Sequence, residues 1–295
     1  MSMTRRQFAA RTAMAAAIAH SPADASAQQA SGGTPAGSAP PDGVPSGGAG
    51  ASGARHDASS MPAHWMGSEQ IAFLIYPQFT ALDMVGPHHM LASLMGATVH
   101  LVAGTRDPVR SDTGLVFIPS ATFEECPQDL DILCVPGGSM GTLAAMEDEA
   151  TMRFVKDRGA RAKYVTSVCT GSLVLGAAGL LAGYQATSHW ATKALLPIFG
   201  ATPVDGRVVK DRNRVTGGGV TAGVDFGLTL VGRLRDRQYA ESVQLMAEYD
   251  PKPPFSAGSP ERAPVEVKAL IDDMFADFIE RAGNVGRAAF SRFGR

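Results

Sequence analysis

Residues 164–181 read Tyr-Val-Thr-Ser-Val-Cys-Thr-Gly-Ser-Leu-Val-Leu-Gly-Ala-Ala-Gly-Leu-Leu, and this stretch decides the fold. Its first five residues form a short apolar, β-branched run of the kind that makes a strand buried on both faces. Residues 170–181 have the pattern of a helix, and only Cys169 stands between the two. A strand-to-helix turn that tight, flanked by small residues, projects its central side chain at the carboxyl end of a sheet, as a nucleophile elbow does. The unpaired amides and dipole of the following helix would favour a thiolate there and lower the thiol pKa.

Outward from this turn, short apolar runs alternate with helical patterns, the signature of a parallel sheet covered on both faces. Residues 71–76 read as the first and central strand, 98–103 as the next, 114–118 as an edge ribbon and 131–135 as another strand. The last of these opens into Pro136-Gly137-Gly138, where backbone amides can face a ligand. Helices are expected over 84–95, with Pro87 in its first turn, and over 149–158. Residues 208–210 and 214–216 are extended, Gly217-Gly218-Gly219 leads into one long helix over 221–249, and a Pro-rich arm (251–264) precedes a final helix over 265–290.

The remainder of the chain has a different character. Residues 1–27 read as an export leader: Arg5-Arg6 stands in a twin-arginine pattern, and Ala25-Ser26-Ala27 has the small-x-small form of a processing site. This implies a periplasmic protein exported already folded; without export it would be cytoplasmic. Gly, Ala, Ser and Pro dominate residues 28–67, so this segment is expected to be a disordered tether. From Ser68 the composition suits one catalytic domain (68–264) followed by a helical extension (265–295).

Net charge is −2, with 26 Lys and Arg against 28 Asp and Glu, so no field draws the chain to nucleic acid. No stretch reaches the roughly 18 apolar residues of a membrane span, so stable membrane association is not expected. The three cysteines, Cys126, Cys134 and Cys169, are too few and too irregular for a disulfide framework or a zinc site. Cys134 reads as a small core residue inside its strand, and Cys126 likewise.

A cysteine nucleophile commonly has a histidine base. His88, His89, His100 and His189 lie in the domain, yet no His follows Cys169 directly and no Glu stands two after His189. Ordinary amidase and peptidase triads therefore do not fit. Asp83, just after the first strand, is the other candidate partner. Its spacing suits a carboxylate beside the Cys169 turn and suits a helix N-cap equally well.

The run over 164–181 resembles the isonitrile hydratase branch of the DJ-1/PfpI superfamily. The likeness extends to Leu82-Asp83-Met84-Val85-Gly86-Pro87, Val135-Pro136-Gly137-Gly138, Thr187-Ser188-His189-Trp190 and residues 215–223, in that family's order. The resemblance implies a flavodoxin-like α/β sandwich of the class I glutamine amidotransferase-like kind, a mostly parallel sheet, and a homodimer. It implies Cys169 as nucleophile, Asp83 as its acidic partner, and Thr170 beside them. The amides of Gly137, Gly138 and Thr170 would bind the substrate or an oxyanion, with His189 behind them. Neither a metal nor an organic cofactor is implied.

The activity implied is cysteine-dependent hydration of an organic isonitrile, a small molecule, to an N-substituted formamide through a thioimidate. A thiolate and a carboxylic acid suffice for this without a histidine base. Two rivals remain. One is another DJ-1-type activity, glyoxalase-like, deglycase-like or thiol-based stress sensing. The other is a ligand-sensing domain of the AraC-regulator kind, for which residues 265–295 offer room for a single helix.

Overall fold

Ile71, Ala72, Phe73 and Leu74 are all completely buried, with no alternation between faces, as a strand at the centre of a sheet covered on both sides requires. A computed structural model describes residues 61–294 of the chain. The expected leader (1–27) and residues 28–60 of the expected tether lie outside the described residues.

In chain order the elements are β1 (Gln70–Leu74), α1 (Ala81–Leu91), β2 (Thr98–Ala103), β3 (Val109–Arg110), β4 (Val116–Phe117), β5 (Ala121–Thr122) and β6 (Ile132–Val135). There follow α2 (Ser139–Glu147), α3 (Glu149–Arg161), β7 (Tyr164–Val168), α4 (Gly171–Ala177), β8 (Gln185–Ala186), a 3-10 helix (Lys193–Phe199) and β9 (Thr202–Pro203). The last elements are β10 (Val208–Asp211), β11 (Arg214–Gly217), α5 (Ala222–Leu234), α6 (Arg237–Met246) and α7 (Val265–Phe293).

The main sheet runs β10-β11-β7-β6-β1-β2-β5 and is parallel throughout except for the β10–β11 hairpin, which makes the fold a flavodoxin-like α/β sandwich. Helix α1 packs on α5, while α7 lies against α2, α4 and the 3-10 helix. The register pairs Phe73 with Cys134 and Val135 with Ser167. The chain therefore leaves β1, β6 and β7 at one level, and the loops that follow Leu74, Val135 and Val168 meet at the carboxyl edge of the sheet. That is where open parallel sheets bind ligands.

Four expectations shift. Helix α1 starts at Ala81 rather than residue 84, so Pro87 is its seventh residue and not in its first turn. Packing compensates: a Cβ on Gly223 of α5 would come within 2.7 Å of the Pro87 ring, so the two helices approach closely at that point. A helix, α2, fills residues 139–147 directly after the two glycines. The long helix expected over 221–249 is two, because Asp236 accepts from Tyr239 N–H at 2.7 Å and caps α6 afresh. The 3-10 helix between β8 and β9 has no forerunner in the expected elements.

The break before α6 is also where the first described residues are tied down. Trp65 Nε1 donates to Asp236 at 2.8 Å, and Trp65 meets Tyr239 edge to face. Beside them Arg235, its side chain 2% exposed, forms a bidentate pair with Glu69 at 2.6 and 2.9 Å and also donates to the carbonyls of Trp65 and Met95. Removing one partner leaves a buried guanidinium uncompensated. Glu69→Gln should therefore cost about 3 kcal/mol and lower Tm by roughly 6–12 °C, read by thermal denaturation near neutral pH. An unchanged Tm would mean the pair contributes nothing.

Candidate active site

Cys169 follows β7 directly and, with Thr170, makes a two-residue turn into α4, one residue longer than expected; it adopts the left-handed conformation with φ 58°. A non-glycine residue in that region stores roughly 1–2 kcal/mol of strain. The turn is held from several sides: Cys169 N–H donates to Gly217 O at 3.1 Å, and its carbonyl accepts from Ser172 and Ser188 hydroxyls at 3.1 and 3.2 Å. The residue is 7% exposed.

Asp83 is completely buried in the first turns of α1. Thr80, not Asp83, is the residue that precedes the helix, so the capping role open to Asp83 from its spacing is not the one it takes. Its Oδ2 accepts instead from the N–H of Gly137 at 2.8 Å, across from α1 to the loop after β6. Oδ1 makes no conventional hydrogen bond. Burial is the main force on this carboxyl group, pushing it up to about 8 against the opposing pull of the Gly137 amide and the Cys169 thiol, while the charge of Asp112 adds to the rise.

The thiol responds in the same sense. Burial pushes the Cys169 thiol well above its ordinary value, and the neighbouring Asp83 charge pushes it further, while the Thr170 amide and hydroxyl pull it down. The depressed pKa expected from the helix terminus is thus reversed, because desolvation outweighs a half-unit helix charge. A second negative charge is disfavoured in this dry site, so at neutral pH the pair retains its protons. Cys134, in the middle of β6, is fully buried and pushed up to about 12, and Cys126 is buried beside Arg158.

The loop after β6 completes the cluster. Gly138 N–H donates to Thr170 Oγ1 at 3.0 Å, and Thr170 Oγ1 lies 2.8 Å from the hydroxyl of Thr142. A Cβ on Gly137 would fall 2.6 Å from Thr170 N and 2.8 Å from Asp83 Oδ2, so only glycine lets the three segments close. Gly138, at φ 156°, is equally constrained, since a Cβ there would sit 2.5 Å from Gln78 O.

Asp83, Cys169, Thr170, Gly137 and Gly138 are therefore brought together. The Gly137 and Gly138 amides are engaged by Asp83 and Thr170. His189 stands apart: its ring packs on Trp190 and Phe275 of α7, and its Nδ1 accepts from Ala191 N–H at 3.4 Å. Its neighbour Ser188 is the residue that reaches the Cys169 turn. Three hydroxyl residues were absent from the expected set: Ser188, Thr142 and Tyr76, whose OH donates to Pro136 O at 2.7 Å. Among the described residues no three His, Cys, Asp or Glu side chains cluster as metal ligands do.

A cysteine held at the carboxyl end of a parallel sheet and faced by a buried carboxyl group defines the chain as a flavodoxin-like α/β protein with a thiol site after its central strands. More particularly, the chain belongs to the DJ-1/PfpI family, which residues 69–233 match. It is 55% identical over 204 residues to an isonitrile hydratase of Pseudomonas putida, spanning 69% of this chain and 87% of that protein. A THiJ/PfpI family protein from Pseudomonas syringae superposes with a TM-score of 0.76 at 55% identity, over 79% of this chain and 98% of that one. The HTH-type transcriptional regulator GbdR of Pseudomonas aeruginosa is 29% identical over 201 residues, 65% of this chain but 54% of the regulator.

The raised Asp83 has a signed consequence for stability. The folded protein keeps the proton up to about pH 8, whereas the unfolded chain releases it near the ordinary value of 3.8. Below 3.8 the contribution is complete; as pH rises toward 8 it is lost, at up to about 1.4 kcal/mol per pH unit. Asp83→Asn, which carries no titrating group, should gain in Tm over the wild type as pH goes from 5 to 8, measured by calorimetry. A constant difference across that range would show that Asp83 ionises freely.

Proposed function

We propose that the protein hydrates an organic isonitrile to an N-substituted formamide, with Cys169 as nucleophile and Asp83 as acid. The observation that carries this reading is the 55% identity to an isonitrile hydratase, taken with the direct coupling of Asp83 to Cys169. An isonitrile offers one terminal carbon that must accept both a nucleophile and a proton. The Cys169 sulfur bonds to that carbon as its S–H bond breaks and its proton passes to Asp83, while the proton Asp83 already held passes to the same carbon, giving a thioimidate, R–N=CH–S, and leaving Asp83 protonated. Water then adds across the C=N bond, its oxygen to carbon and a proton to nitrogen. Collapse breaks the C–S bond and releases R–NH–CHO, and the proton returns to the Asp83–Cys169 pair. Thr170 orients the reacting groups through its hydroxyl and its amide at the head of α4.

The raised proton affinity of Asp83 supports the acid role, since a carboxyl group near 8 still holds its proton at neutral pH. Absence of bulk water around the pair also protects the thioimidate until hydrolysis. Purified protein assayed against para-nitrophenyl isocyanide and methylglyoxal in parallel should consume the first. Cys169→Ala should abolish hydration, and folded Asp83→Asn should lose ~10²- to 10⁴-fold in rate. Wild-type turnover by folded Asp83→Asn would overturn the acid role, and preference for methylglyoxal would favour the glyoxalase-like rival.

The proposal extends to the rest of the chain. Arg5-Arg6 and Ala25-Ser26-Ala27 support export through the twin-arginine route, and cleavage near Ala27 would leave a mature protein made of the tether (28–67), the catalytic domain (68–264) and the extension over 265–295. Exposed apolar side chains on α1, Leu82 and Val85, support a homodimer. Light scattering of purified protein should report two chains; a single active chain would contradict it.

A further inference from the structure

Two consecutive peptide units follow β6, and each is gripped at both ends. The first joins Pro136 to Gly137: its N–H donates to Asp83 Oδ2 at 2.8 Å, and its carbonyl accepts from Tyr76 OH at 2.7 Å. The second joins Gly137 to Gly138: its N–H donates to Thr170 Oγ1 at 3.0 Å, and its carbonyl accepts from Thr80 N–H at 2.8 Å. The N–H and C=O of one unit lie in a plane and point in opposite directions. Whatever holds the oxygen therefore fixes where the amide points.

At this place the grip matters, because glycine opposes rotation of a neighbouring peptide plane less than any other residue. The second unit is held by backbone, through the start of α1. The first is held by a side chain, Tyr76, which is 4% exposed and whose ring packs against Phe79. Burial pushes the Tyr76 hydroxyl far above its ordinary range, so it remains a donor at any pH the protein meets.

The same hydroxyl ties the two units together. It lies 3.4 Å from Thr142 Oγ1, which lies 2.8 Å from Thr170 Oγ1. One order of donors satisfies every group: Gly138 N–H to Thr170, Thr170 to Thr142, Thr142 to Tyr76, and Tyr76 to the Pro136 carbonyl. Such a chain of hydrogen bonds strengthens its members cooperatively in a low-dielectric interior.

We propose that Tyr76 is a positioning residue, whose hydroxyl holds the Pro136–Gly137 peptide plane so that the Gly137 amide stays on Asp83. The Tyr76 hydroxyl bonds Pro136 O and Thr142 rather than Asp83 or Cys169, so it acts through that amide. Its effect on turnover rests on the hydration reading, but its effect on Asp83 does not. The groups acting on Asp83 are the Gly137 amide and Cys169 thiol, which favour its anion, and the charge of Asp112, which opposes it. Loosening the amide removes one of the two favourable partners, so Asp83 should hold its proton to higher pH.

Tyr76→Phe removes the hydroxyl and keeps the ring. Asp83 should be titrated by carbon-13 NMR of labelled carboxyl groups in the free protein, alongside kcat and KM for para-nitrophenyl isocyanide. The expected result is a folded variant whose Asp83 midpoint moves upward by roughly half to one pH unit, with kcat down roughly tenfold and KM within about twofold of wild type. Thr166→Val serves as comparison, because it deletes another buried hydroxyl that bonds a backbone carbonyl, Leu133 O in β6, at 3.0 Å. It should leave both the midpoint and kcat in place. An unmoved Asp83 midpoint in Tyr76→Phe overturns the proposal, as does an equal shift in Thr166→Val. A shifted midpoint in a protein that hydrates no isonitrile would uphold the positioning role and sink the hydration reading instead.

Discussion

A carboxyl group with no access to water governs the centre of this structure. Asp83 is fully enclosed and receives one conventional hydrogen bond, from Gly137. An isolated buried carboxylate would cost far more than that bond supplies, so the group keeps its proton and the site keeps a reservoir of one acidic hydrogen. The enclosure in turn fixes the surroundings. Glycine is required at 137 so that the amide can approach, β1, β6 and β7 must end level so that three loops meet, and the thiol at the head of α4 shares the same dry space.

Dryness also explains why helix-terminus arguments taken from isolated turns fail at Cys169. Helix amides lower a thiol pKa where water still solvates the competing neutral form poorly and the charged form well. Here the charged form loses its water, and an acidic neighbour stands beside it. Under the proposed chemistry, reactivity then depends on the arrival of a substrate that takes the sulfur and the proton together, so that no second charge has to persist.

Local patterns made much of the sheet legible. Strands β2 and β7 coincide with their expected spans because β-branched runs bounded by turns leave little latitude. Helix α2 was hidden by Gly141, whose reason is tertiary: a Cβ there would sit 2.5 Å from Gln78 O. The break between α5 and α6 had a local signal, Asp236 capping Tyr239 N–H three residues on, while the Glu69 partner that pins Arg235 beside it lies 166 residues away. At the site, Cys169 stood out by its turn alone. Asp83 could not be assigned from spacing, because its partner lies 54 residues away. Tyr76 closes an apolar run and so resembles core, and the carbonyl that explains its hydroxyl is 60 residues distant.

The left-handed backbone at Cys169 has a consequence for how such a chain drifts under mutation. Any side chain at 169 inherits the strain, and glycine alone escapes it. Under the proposed chemistry the one substitution that relaxes the corner is also one that removes the sulfur. Selection for a sturdier fold and selection for turnover therefore point in opposite directions at this position, while at most core positions the two agree. Copies of the chain released from catalytic duty should accumulate glycine there, leaving a more stable and silent descendant of the same architecture.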